Sequence, residues 1–143
     1  LQAKKPLKST SLMSFKEIAV GDHSFQGKEK PIRLKDLTEN PLISLGQGST
    51  TYEFYSKFFL ENDLVLSPDT EVETIDQVLP LIMNGLGIGF LPELFVRPVI
   101  EEGKVCQIPL KENIPEREIC LVENHTFPPS ITAEMFKKML VLK

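Results

Sequence analysis

The sequence predicts an α/β protein built on a mostly parallel sheet flanked by helices. Three observations carry that expectation. Strand-like and helix-like periodicities take turns through the middle of the chain. Two helix-start signatures, T-T-Y-E from Thr50 and T-I-D-Q from Thr74, come after strand-like runs, the first across the loop GQGS. The run LIMNGLGIGFLPE (Leu81–Glu93) has the pattern of a helix that ends and a buried strand that begins.

Each element follows in order. FKEIAV (Phe15–Val20) alternates apolar and polar residues, as a half-buried strand does. GDHSFQGKEKP is a polar loop, and IRLKDL a short turn of helix. PLISL (Pro41–Leu45) is a compact apolar strand ending in GQGS. TTYEFYSKFFLEN then places Tyr52, Tyr55, Phe58 and Phe59 at helical spacing. This helix is expected to open at Thr50, with Glu53 completing a capping box. DTEVE (Asp69–Glu73) alternates as a strand, and Thr74 with Gln77 caps IDQVLPLIMNG. Gly85 suits the left-handed terminus of that helix. GIGFLP is a buried strand, PELFVRPVIEEG a short irregular helix, and KVCQIPL and EREICLV two further strands. Pro129–Leu140 closes the chain as a helix with Ile131, Met135, Phe136 and Met139 on one face. Parallel neighbours would be joined by right-handed crossovers.

With 143 residues, 41% hydrophobic and 25% charged, the chain is long enough for one domain with a real core. A net charge of −4 argues against a nucleic-acid surface, which is normally basic and clustered. The chain opens LQAKKPLK without Met, which reads as a piece of a longer protein. Cys106 and Cys120 are too few for a disulfide framework and are expected as buried thiols, which fits a cytoplasm. Val78 to Pro92 is uncharged but shorter than the ~20 residues of a spanning helix, so no membrane contact is expected.

GLGIG lies after a helix and before a strand, the reverse of the dinucleotide fingerprint. Phosphate at a helix C-terminus meets the negative end of the dipole. These glycines are therefore read as packing: Gly85 as a turn, Gly87 and Gly89 as points of close approach.

LGQGST (Leu45–Thr50) has the opposite polarity, running from strand through a glycine loop into a helix start. Ligands of open α/β sheets collect outside the carboxyl ends of strands. Backbone N–H groups there, with the Ser49 and Thr50 hydroxyls, are suited to a carboxylate or sulfate-like group. The plainer alternative is that Thr50 only caps and the glycines only turn. No P-loop Lys is present, so a nucleoside triphosphate is not expected. Thr74 begins a second helix at a strand end, with Asp76 less welcoming to an anion. His23 and His125 lie in polar loops, and CxxC, HExxH and GxSxG are absent. The expectation is no catalytic residue, no metal and no cofactor, hence no enzyme.

The segments PIRLKDLTENPLISL, GSTTYEFYSKFF, PDTEVETIDQVLPLIMNGLGIGFLPE, GKVCQIPL and PEREICLV, with a final Pro-Ser helix, resemble the effector-binding domain of LysR-type transcriptional regulators. The resemblance runs from about Phe15 to Leu140, and the T-x-D-x-V-L-P-L-I run with its glycines is its most specific part. It implies a fold like type II periplasmic binding proteins, with two α/β subdomains and a small-molecule cleft between them. On that reading residues 1–19 are part of the first subdomain and the crossover. Residues 20–116 are the complete second subdomain, and 117–143 the strand and helix that return to the first. The first subdomain is thus only partly present.

The resemblance further implies that Ser44, Gln47, Gly48, Ser49 and Thr50 line the effector cleft. HSFQ (His23–Gln26) stands where the family usually has H-P-L-A, so that loop receives no role. The function implied is sensing of a small, anionic metabolite. The signal would pass to a DNA-binding domain that precedes this one in full-length members and is not in this chain. A homo-oligomer, dimer or tetramer, is implied, with the exposed part of Thr50–Asn62 as a candidate contact. The alternatives are an extracytoplasmic solute-binding protein and an enzyme on the same two-lobed scaffold.

Overall fold

The computed structural model describes residues 6–141, and the chain divides into two compact units. Unit 1 comprises Leu1–Phe15 with Glu116–Lys143, and unit 2 is Lys16–Pro115. The sequence placed these boundaries after residues 19 and 116; residues 1–5 and 142–143 of the expected outer segments lie outside the described residues. The structural division falls at Lys16, where one strand stops and another starts.

Unit 1 holds β1 (Leu7–Phe15), β7 (Arg117–Asn124) and α5 (Ile131–Val141). β1 and β7 pair antiparallel from Leu7↔Asn124 to Phe15↔Arg117, with a register shift between Ser11 and Met13. The single strand expected over Phe15–Val20 is in fact two. Phe15 ends β1, and β2 (Glu17–Gly21) belongs to the other unit. Two ties are local: Lys137 donates to the Glu123 carboxylate at 2.8 Å, and the Arg117 guanidinium lies 5.7 Å from the Phe15 ring centre. The Lys137 bond holds the Glu123 carboxyl below its ordinary range.

Unit 2 is a five-stranded sheet in the order β4-β3-β5-β2-β6. Its other strands are β3 (Leu42–Leu45), β4 (Thr70–Val72), β5 (Ile88–Pro92) and β6 (Cys106–Ile108). β3 pairs parallel with β4 and β5, whereas β2 pairs antiparallel with β5 and β6. Every strand but β2 therefore runs the same way, which is the mostly parallel sheet the sequence predicts. Helices α1 (Leu34–Leu37), α2 (Thr50–Glu61), α3 (Val78–Met83) and α4 (Glu93–Glu101) complete the unit.

Alternation along the strands builds a core on each face. Ala19, Leu42 and Ile88 join Leu34 and Leu37 of α1 and Tyr55, Phe58 and Phe59 of α2 in one cluster. Ile18, Val20, Ile43 and Leu91 join Val78 and Ile82 of α3 and Val96 of α4 in the other. Glu17 is buried among them, and the Tyr55 hydroxyl donates to its carboxylate.

The glycine run behaves as packing. Gly85 has φ +73, the left-handed terminus expected. A Cβ on Gly87 would stand 2.6 Å from the Pro41 carbonyl oxygen, and one on Gly89 would stand 2.7 Å from Val78 Cγ1. The thiols depart from expectation: Cys106 and Cys120 are free but only half-buried. Cys106 lies on the edge strand β6, and Cys120 lies in the two-stranded sheet of unit 1. Burial, with the Asp22 carboxylate nearby, still pushes the Cys106 thiol up.

Candidate functional site

β3 carries the candidate residues to the carboxyl end of the sheet. Gly46 leaves β3 and donates its N–H to the Val72 carbonyl at 3.2 Å, tying the turn to β4. Gly48 takes φ +92, a conformation that a side chain disfavours, and turns the chain toward the helix. The helix cap is then Ser49, not Thr50 as the sequence suggests. Ser49 Oγ accepts from the Tyr52 N–H at 3.0 Å and donates to the Gly46 carbonyl at 3.0 Å. Its own carbonyl takes the Glu53 N–H at 3.1 Å. The cap is thus displaced by one residue from the Thr50 expected, and with Tyr52 at the third helical position Glu53 no longer completes a capping box.

The five candidate residues are contiguous but differently employed. Ser44 is half-buried on β3, opposite Glu71 in register, and its hydroxyl donates to the Leu45 carbonyl at 3.0 Å. Gln47 and Gly48 are exposed, with the Gln47 amide nitrogen 3.5 Å from the Tyr52 hydroxyl. Ser49 is half-buried and committed to the cap, while Thr50 is exposed as the first helical residue. Of the hydroxyls, Thr50 is therefore the one presented outward.

A second strand-to-helix junction stands beside the first. Because Leu45 pairs with Val72 in parallel, the end of β3 and the end of β4 are neighbours. After β4, the Gln77 side chain accepts from the Glu73 N–H at 2.9 Å and the Thr74 N–H at 3.2 Å, the capping signature expected there. It opens a short 3-10 turn, Ile75–Gln77, that runs on into α3. A small pocket lies between the two junctions, lined by Ser44, Thr51, Tyr55, Ile75, Val78 and Phe90 among others. Tyr55 and Phe90 stack there with ring centres 4.5 Å apart.

Thr51 escaped the sequence reading. It stands four residues before Tyr55, on the inward face of α2, and that spacing was the available signal. Glu71, on β4, is exposed. Its carboxylate nevertheless lies 3.5 Å from the point where a Gly46 side chain would begin. Glu53 adds a second acid in the first turn of α2.

A helix-flanked sheet with its loops gathered at the carboxyl end, joined to a second smaller unit, defines a ligand-binding α/β protein of the type II periplasmic-binding class. The match to the LysR substrate binding domain covers residues 6–141, and the chain belongs to that family. Among curated proteins, an uncharacterized HTH-type transcriptional regulator of Bacillus subtilis, YwqM, is 29% identical over 100 residues, covering 70% of this chain and 33% of that protein. The HTH-type transcriptional activator CmpR of Synechocystis is 36% identical over 64 residues, covering 45% of this chain and 21% of that protein. The chain thus matches a third or less of these relatives' length. Among solved structures, the effector-binding domain of QuiR in complex with shikimate superimposes with a TM-score of 0.82 at 17% identity. That match covers 99% of this chain and 67% of the other. The Synechocystis CcmR regulatory domain in complex with 2-PG gives 0.84 at 13% identity, covering 99% and 69%. The chain is an effector-binding domain of the LysR type. Among the described residues, no helix is long and apolar enough to cross a membrane.

Proposed function

We propose that this chain is the sensing part of a cytoplasmic transcriptional regulator and holds a small metabolite at the β3–α2 junction. Ser44, Gln47, Gly48, Ser49 and Thr50 form the binding edge. The observation that carries this reading is the side-by-side placement of two helix starts at the carboxyl ends of β3 and β4. Such an end presents backbone N–H groups and the positive pole of α2 to a ligand. An anionic effector suits this edge, with a limit set by the Glu53 and Glu71 carboxylates.

The response follows from differential affinity: a ligand shifts conformations only as far as it prefers one of them. The readout would be a DNA-binding domain outside this chain, as the names of the curated relatives suggest. Likeness to regulatory domains in complex with shikimate and with 2-PG supports a small-molecule effector. A thermal-shift screen of small monocarboxylates against their amide analogues tests the reading. Ligands that raise the melting temperature only as carboxylates are expected. Thr50→Val should then weaken their binding by roughly 1.5–3 kcal/mol, the worth of one hydrogen bond to a charged group. Calorimetry with unchanged affinity would take Thr50 out of the site.

A further inference from the structure

Glu17 and Tyr55 form a buried pair that the binding edge does not use, although Tyr55 lines the pocket beside it. Glu17 is 5% exposed, and among the described residues no other charged residue is buried. It heads β2, one residue after Lys16, where the chain enters unit 2. Its register partner is Pro92, the last residue of β5. Because β5 runs parallel to β3, Glu17 lies at the same carboxyl end of the sheet as the β3–α2 junction. A buried ionisable group commonly stabilises a core no better than an apolar residue of the same volume. Packing alone therefore does not call for an acid at this position.

Tyr55 joins the pocket to this entry point. Its ring stacks on Phe90 in the pocket wall, close to Ser44 and Thr51, while its hydroxyl donates to the Glu17 carboxylate. Phe90 is itself the register partner of Ala19, two residues along β2. From α4, the Glu93 N–H donates to the Lys16 carbonyl at 2.8 Å, so that amide reports on the entry segment. A phenol ring and its oxygen move as one rigid group, and a shift of about 1 Å takes a hydrogen bond out of its working range. We propose that Tyr55 is a positioning residue that couples the filling of the pocket to the Lys16–Glu17 segment, its ring meeting the guest and its hydroxyl holding Glu17. The proposal rests on the binding-edge reading only for the identity of the guest.

A side chain can stand in for that guest, which keeps the test separate from any failure to find an effector. Ser44→Val replaces a hydroxyl with two methyl groups and fills the pocket from within. Amide hydrogen exchange of Glu93 is the readout, taken relative to the Ile32 amide, which bonds to the Pro109 carbonyl. Ser44→Val and Tyr55→Phe should each lower the relative protection of Glu93 about tenfold. Together they should lower it no further than the larger single effect, because both act through one bond. Glu17→Gln keeps an acceptor for the Tyr55 hydroxyl and should preserve the response to Ser44→Val, whereas Glu17→Leu should abolish it. Far-ultraviolet circular dichroism matching the parent confirms that each variant is folded. Additive effects of Ser44→Val and Tyr55→Phe overturn the proposal, as does a Glu93 amide that ignores either change. Equal loss of protection at Glu93 and Ile32 also overturns it, since Tyr55 would then serve general stability alone.

Discussion

Phe59 on α2 and Phe136 on α5 are helix phenylalanines in the same chain, 0% and 58% exposed respectively. The first belongs to a sheet with helices on both faces, so its ring closes a core shared with Leu34, Leu37 and Ile88. The second belongs to a unit of two described strands and one helix. There Leu7, Met13, Ile119 and Val122 of the strands are exposed as well. Amphipathic periodicity says which side of a helix wants cover. Whether cover exists depends on how many other elements the unit holds. Two strands with one helix have little apolar surface to close against, whereas five strands with four helices close twice over.

That contrast can be broken by substitution. Phe59→Ala should lower the stability of unit 2 by about 3–5 kcal/mol in urea unfolding, because the cavity is enclosed. Phe136→Ala should change stability by about 0.5 kcal/mol or less. Equal costs would mean that α5 is covered after all. Gly87→Val comes next, at about 1–3 kcal/mol, since the added carbon meets the Pro41 backbone and not a movable side chain. An unaltered melting temperature would contradict the close approach. Ser49→Ala should cost about 1 kcal/mol by removing the cap of α2. Thr50→Val, by contrast, should leave the fold alone.

The smallest effect belongs to unit 1 and depends on pH. The Glu123 carboxyl is depressed by its bond to Lys137, so the tie is present above the ordinary carboxylate range and lost as pH falls through the lowered folded value. The protection of the α5 amides relative to their intrinsic exchange should fall on acidification through and below the ordinary carboxylate range. Glu123→Gln should already show the lower protection near neutral pH and lose most of the dependence. Protection in α5 that ignores both changes would show that other contacts hold the helix.

The same contrast explains what could be read in advance. Unit 2 was legible because its strands end in capped helix starts and its glycines punctuate one clear helix-to-strand passage. β1 was not, because Ser9, Ser11 and Ser14 interleave with Leu7, Leu12 and Met13 and leave neither strand face clearly apolar. At the candidate site the polarity of the junction was visible in GQGST, but the assignment of roles was not. Three consecutive hydroxyl residues, Ser49, Thr50 and Thr51, turn in three directions once the helix begins. One caps, one faces out and one faces the pocket. Only the actual starting residue of the helix fixes which is which.

The lone reversed strand has a kinetic consequence. β2 is made before both of its partners, the residues around Gly89 and Gln107. At 5–20 residues per second on the ribosome, a strand of Ile18, Ala19 and Val20 waits on the order of several seconds for either neighbour. A chaperone that shields nascent apolar segments would find a substrate there, and delays in translation before residue 89 should raise the fraction of chains lost to aggregation.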